Sequence, residues 1–177
     1  MKTQKLVIYS FFAALSVILS QISIPLPFSP IPINLTLLSI FLCAGILDTY
    51  GSFISQIIYL ALGAIGLPVF ANFSGGIGIL FGPRGGFLLS YPIISIIIGV
   101  IVKKFGKKFY VLNLSMLAGL FVCYLLGTLY FSYITNTLFV TSIALCVIPF
   151  IAIDIVKIIL ASLIILKLNG KLPYSLS

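Results

Sequence analysis

The chain contains no histidine and no tryptophan, and it sets two acidic residues against ten basic ones. Each scarcity excludes a class of function. Cys43, Cys123 and Cys146 stand singly inside apolar runs, at no metal-ligand spacing and with no histidine to join them, so a zinc or haem site lacks its donors. The two carboxylates, Asp48 and Asp154, lie far apart, and no Ser-His or Ser-Lys arrangement offers an activated nucleophile, so the sequence does not read as an enzyme. The glycines Gly75, Gly76, Gly78, Gly82, Gly85 and Gly86 match neither GxGxxG nor GxxxxGK[ST], which removes the usual phosphate cradles. No cofactor is expected.

Charged residues make up 7% of the 177 positions and hydrophobic ones 62%, with a mean hydropathy of +1.34. So little polar surface cannot clothe a water-soluble globule. Apolar runs recur at 6–22, 33–48, 50–66, 87–102, 110–132 and 144–166, each approaching the roughly 20 residues that cross a bilayer as helix. The expectation is an all-α polytopic membrane protein, one domain over 1–177 with six transmembrane helices. The first run follows Lys2 and Lys5, as a signal peptide would, but no small-x-small cleavage site precedes Gln21. It is kept as a span.

The basic residues test this topology. Lys2 and Lys5 precede span one, Lys103, Lys104, Lys107 and Lys108 separate spans four and five, and Lys167 and Lys171 follow span six. Six spans put all three groups on one face, and the positive-inside bias makes that face and both termini cytoplasmic. Topology thus explains the net charge of +8 better than a nucleic-acid partner does.

Two outer segments stand out. Residues 24–32, IPLPFSPIP, hold four prolines, which forbid helix and dictate an extended, polyproline-like path. Residues 67–86, between helices three and four, form a long apolar loop with six glycines. Irregular backbone near lipid must be buried in protein or line a cavity, so both are expected to fold over an outward-facing pocket, or else simply to rim the bundle. The rings of Phe28, Phe70, Phe73, Phe81, Phe87 and Tyr91 gather around them, as pocket walls or as interface anchors.

Asp154 and Lys157, three apart in span six, share one helix face. Intramembrane ionisable groups face an interior or a wet cavity. They form either a structural pair or a polar site, in which Asp154 accepts from ligand N–H groups and Lys157 donates to a ligand oxygen or carboxylate. Arg84, the chain's one arginine, lies in the glycine-rich loop against the positive-inside bias. It suits an anionic ligand or ties the loop to its own carbonyls. Asn72 carries both donor and acceptor for an amide or ureido edge, or serves as a turn residue.

These motifs resemble the biotin-specific S components of energy-coupling factor (ECF) transporters, the BioY family. GLPVFANFSGGIGILFGPRGGF, residues 66–87, is similar to that family's G-L-P-V-F and G-P-x-G-G-[FY] outer loop; IPLPFSPIPINL, residues 24–35, to its proline-rich segment; and DIVK, Asp154 to Lys157, to its D-x-x-K in the last helix. The resemblance implies a vitamin-binding subunit in the prokaryotic plasma membrane that captures biotin outside. It delivers the vitamin inward with an ECF module of a transmembrane coupling subunit and two ATPase subunits. Asp154 and Asn72 would then hold the ureido ring, and Lys157 would complete the polar set at the valerate chain or its carboxylate. Arg84, Phe73 and Tyr91 join them as candidate ligand-binding residues. Arg84 stands where the family more often has threonine. Ser10 and Ala14 approximate the family's Ala-xxx-Ala docking motif in helix one, the expected contact with the coupling subunit. The alternatives are an S component for another small vitamin, or a stand-alone membrane carrier.

Overall fold

The computed structural model describes residues 2–169; Lys171 and the side chain of Lys2 lie outside the described residues. The chain is mostly helical, with α1 (Lys2–Gln21), α2 (Thr36–Ile46), α3 (Thr49–Ala64), a single turn α4 (Ile77–Leu80), α5 (Gly85–Phe105), α6 (Phe109–Thr135), α7 (Phe139–Cys146) and α8 (Ile148–Leu168). Local chemistry sets the ends. The Asp48 carboxylate caps α3 by accepting the Gly51 N–H at 3.1 Å. Lys103 and Lys104 occupy the last turn of α5, and Gly106 leaves that helix at φ +81°.

Four helices, Gln4–Gln21, Gly85–Phe105, Phe109–Thr135 and Ile148–Leu168, are long and apolar enough to cross a membrane. Two of the expected spans are shorter than drawn: α2 has 11 residues and α3 has 16. At 1.5 Å per residue α2 covers only about 16 Å, because the chain reaches it through extended backbone. The last span also differs. The stretch 144–166 is divided at Val147, where α7 ends and α8 begins with Pro149 in its first turn, the place a helix tolerates proline.

The proline-rich segment is extended, as its composition requires, but it is a β-hairpin rather than a polyproline strand. β1 (Ser23–Leu26) pairs antiparallel with β2 (Ser29–Asn34), Ser23 opposite Asn34 and Ile24 opposite Ile33. Pro30 and Pro32 are two apart, so their missing donors fall on one edge of the ribbon, and Pro25 sits at the register shift between Ile24 and Leu26.

Two apolar clusters fill the bundle. One joins Phe41, Ile98, Leu112, Met116 and Ile165; the other, towards the hairpin, joins Ile40, Tyr59, Phe70, Phe87 and Ile94. Several buried serines return their hydroxyls to their own helices, as Ser16 does to the Phe12 carbonyl and Ser95 to that of Pro92, whereas Ser55 of α3 donates across to the Tyr9 carbonyl of α1. Gly119 faces Ile98 and Gly99 faces Thr49, where a small residue lets α5 approach α6 and α3 closely. Lys5, Lys103, Lys107 and Asn169 line one cleft, so the start of α1, the end of α5 and the end of α8 share one end of the bundle. The hairpin and residues 66–84 cap the other.

Candidate functional site

Asp154 and Lys157 sit on adjacent turns of α8, 1% and 4% exposed. Lys157 Nζ lies 2.6 Å from Asp154 Oδ1, and the Tyr124 hydroxyl of α6 donates to Asp154 Oδ2, also at 2.6 Å. Burying either charge alone would cost several kcal/mol; the pair and the tyrosine satisfy both carboxylate oxygens. One of the lysine's three donors is used, leaving two for a ligand.

The group is not sealed in packed protein. It forms one wall of a cavity of about 40 Å³, which Phe87, Tyr91 and Phe150 share with Ile31, Pro32 and Asn34 from the hairpin. A neighbouring cavity of about 30 Å³ has Tyr59, Phe70, Ser74 and Arg84 in its wall and shares Asn34, Phe87 and Tyr91 with the first. Both hollows thus lie under the hairpin, with aromatic sides and a few polar groups. Tyr91 lines both and is 6% exposed.

The other residues singled out from the sequence fall differently. Arg84 is half-buried at the mouth of the second cavity, and its Nε donates to the Pro30 carbonyl at 2.8 Å, tying the glycine-rich loop to the hairpin. Partial burial draws its pKa below the usual arginine range. Asn72 is exposed and lines neither cavity. Its backbone is left-handed at φ 61°, and its Oδ1 accepts from the Ser23 hydroxyl at 2.7 Å. Phe73, at φ 52°, points outward at 73% exposure while its N–H donates to Gln21 Oε1 at 3.0 Å. Of the six rings expected to gather here, Phe70, Phe87 and Tyr91 line the cavities, whereas Phe28, Phe73 and Phe81 are exposed.

Asn34 and Tyr124 were not anticipated. Asn34 lines both cavities, and its Oδ1 accepts the N–H of Thr36, the first residue of α2, at 3.0 Å. Its signal was an amide at the end of a proline-rich, largely apolar segment; that of Tyr124 was a hydroxyl in the middle of a long span. Cys123 and Cys146 are buried beside the pair as free thiols. Among the described residues no three His, Cys, Asp or Glu side chains gather as metal ligands.

Comparison with known proteins gives a consistent picture. The profile described as the BioY family matches residues 1–174. The chain is 37% identical over 170 residues to the probable biotin transporter BioY of Pyrococcus horikoshii, covering 96% of this chain and 99% of that one. With the biotin transporter BioY of Thermotoga maritima it shares 35% identity over 166 residues, 94% of this chain and 96% of that one. A crystal structure of the S-component for biotin from an ECF-type ABC transporter superposes with a TM-score of 0.89 at 29% identity, covering 95% of this chain and 92% of that one.

Proposed function

The chain belongs to the BioY family, and from that premise we propose that it is the substrate-binding S component of an ECF transporter, taking up biotin. Members of this family are transporter subunits, not enzymes, and the chain is a multi-pass membrane protein. The observation that carries the reading is the Asp154–Lys157 pair, buried in α8 yet facing a capped cavity. A ureido ring offers N–H donors and a carbonyl acceptor, and this wall presents a carboxylate and an ammonium in matching senses.

In this reading the cap marks the outer face and the lysine-bearing end the cytoplasm of the prokaryotic cell, with six helices in one membrane domain and both termini inside. Asp154 accepts from the ureido N–H groups. Lys157 donates to the ring carbonyl or to the carboxylate of the side chain. Tyr91 and Phe87 flank the apolar part of the ligand. Asn34 is added to the site on its position. Arg84, Asn72 and Phe73 act on the cap rather than in the cavity floor, Arg84 as the tie to the hairpin.

Pockets for small ligands measure roughly 300–1,000 Å³, about tenfold more than either cavity here. Binding therefore requires the hairpin or the loop to lift, and the described conformation is the closed one. Inward delivery needs work, which the coupling subunit and two ATPase subunits of the ECF module supply. Ser10 and Ala14 are both exposed on one face of α1, as docking there requires.

Purified protein should retain labelled biotin that excess unlabelled biotin displaces and other vitamins do not. A preparation that melts cooperatively yet retains none would end the proposal.

A further inference from the structure

A larger hollow lies at the end of the bundle remote from the cap. It measures about 480 Å³ and is bounded by the start of α1, the turn between α2 and α3, the end of α5 and Asn169. Lys5, Lys103 and Lys107 line it with one carboxylate, Asp48. That carboxylate is already engaged, accepting the Gly51 N–H at 3.1 Å and the Tyr9 hydroxyl at 3.2 Å. Among the described residues no lysine forms an ion pair with it, so the hollow keeps an excess of positive charge. Lys107 is held over it by donating to the Ile46 carbonyl at 3.1 Å.

A second hollow of about 360 Å³ shares Asp48, Thr49 and Lys103 with the first. Its remaining wall is Tyr50, Phe53 and Ile96. Tyr50 is 67% exposed and Ile96 37%, on the outer surface of α3 and α5. A cationic chamber and an apolar one therefore meet at Lys103. A free anion would use the first and leave the second idle; an amphiphile uses both. Basic pockets between helices at the cytoplasmic interface are where anionic headgroups bind.

We propose that these joined hollows bind an anionic phospholipid, with its phosphate among Lys5, Lys103 and Lys107 and an acyl chain against Phe53 and Ile96. The site depends on the chain lying in a bilayer and not on what fills the cavity under the cap.

The test uses the full chain in micelles, titrated with phosphatidylglycerol or phosphatidylcholine and read by native mass spectrometry. Phosphatidylglycerol should be retained in preference. Lys5→Gln/Lys103→Gln should weaken it by about fivefold per lysine, roughly twenty-five-fold for the pair, while biotin retention stays unchanged. Lys104→Gln/Lys108→Gln removes the same charge from the same end outside the hollow and should change little. Phe53→Ala should weaken the lipid too, and millimolar inorganic phosphate should not displace it. Equal retention of the two lipids, equal losses in the two lysine pairs, or displacement by free phosphate would each overturn the assignment.

Discussion

Replacing Asp154 by asparagine tests whether the buried pair grips a ligand or merely joins helices. The carboxylate accepts from Lys157 and Tyr124, each at 2.6 Å, at 1% exposure. Asp154→Asn keeps the shape but strands the lysine charge in apolar surroundings, which costs about 3–5 kcal/mol. For a chain of this length that lowers the melting temperature by roughly 10 °C. Binding should suffer separately, because a hydrogen bond to a charged group contributes about 1.5–3 kcal/mol, or roughly tenfold to 150-fold in Kd. The second substitution in Asp154→Asn/Lys157→Met separates the two effects by removing the orphaned charge. Stability should then largely return while biotin affinity stays low. Thermal unfolding can be followed with a thiol-reactive dye, since Cys43, Cys123 and Cys146 are free and buried until the bundle opens. A double variant that binds biotin as tightly as the parent would show the pair to be structural and refute the site.

Three further perturbations probe the cap. Arg84→Thr removes the bond to the Pro30 carbonyl; biotin and biotin amide should both leave about twofold to tenfold faster, and a change confined to biotin would instead assign the arginine to the carboxylate. Gln21→Ala removes a side chain that bridges the carbonyls of Pro68 and Phe70 and the N–H of Phe73, so amide exchange over residues 68–76 should quicken with α6 unaffected; unchanged exchange would mean the loop is held elsewhere. Gly63→Ala places a methyl group against the ring of Phe70, which packs edge-on to Tyr59 at 5.6 Å. It should cost about 1–3 kcal/mol and lower biotin retention by pushing that ring into the cavity, whereas an unchanged melting point and affinity would contradict the packing.

Apolar runs betrayed most helices because lipid leaves the backbone no other solution, and the lysines at 103–108 marked the turn between α5 and α6 on charge alone. The division at Val147 was hidden, since both sides of it are equally apolar and only Pro149 hinted at a fresh helix start. The hairpin was half legible: prolines announce extended backbone, but strand pairing depends on a partner register that composition does not encode. At the site, Asp154 and Lys157 were conspicuous because charge in a span is costly. Tyr124 and Asn34 were not, being ordinary residues made important by the contacts around them. Asn72 and Phe73 show the converse. Their motif drew attention to the loop, while the left-handed backbone at both positions turns the side chains away from the cavities beneath it.

The way the cap is fastened bears on how the site can open. Few direct bonds tie the hairpin to the glycine-rich loop: the Ser23 hydroxyl with Asn72, and Arg84 with the Pro30 carbonyl. The loop itself is tied to the end of α1, where Ser20 donates to the Val69 carbonyl at 2.6 Å and Gln21 holds three backbone groups. Hydrogen bonds of this kind contribute about 1 kcal/mol each, so those that hold the hairpin to the loop amount to a few kcal/mol and those that hold the loop to α1 add about as much again. By side-chain bonds the hairpin is the more weakly tied of the two, and Ile31, Pro32 and Asn34 would leave both cavities together if it lifted. Asp154 and Lys157 would stay behind on α8, already paired, so such an opening would expose a preformed polar floor without releasing a bare charge into the membrane.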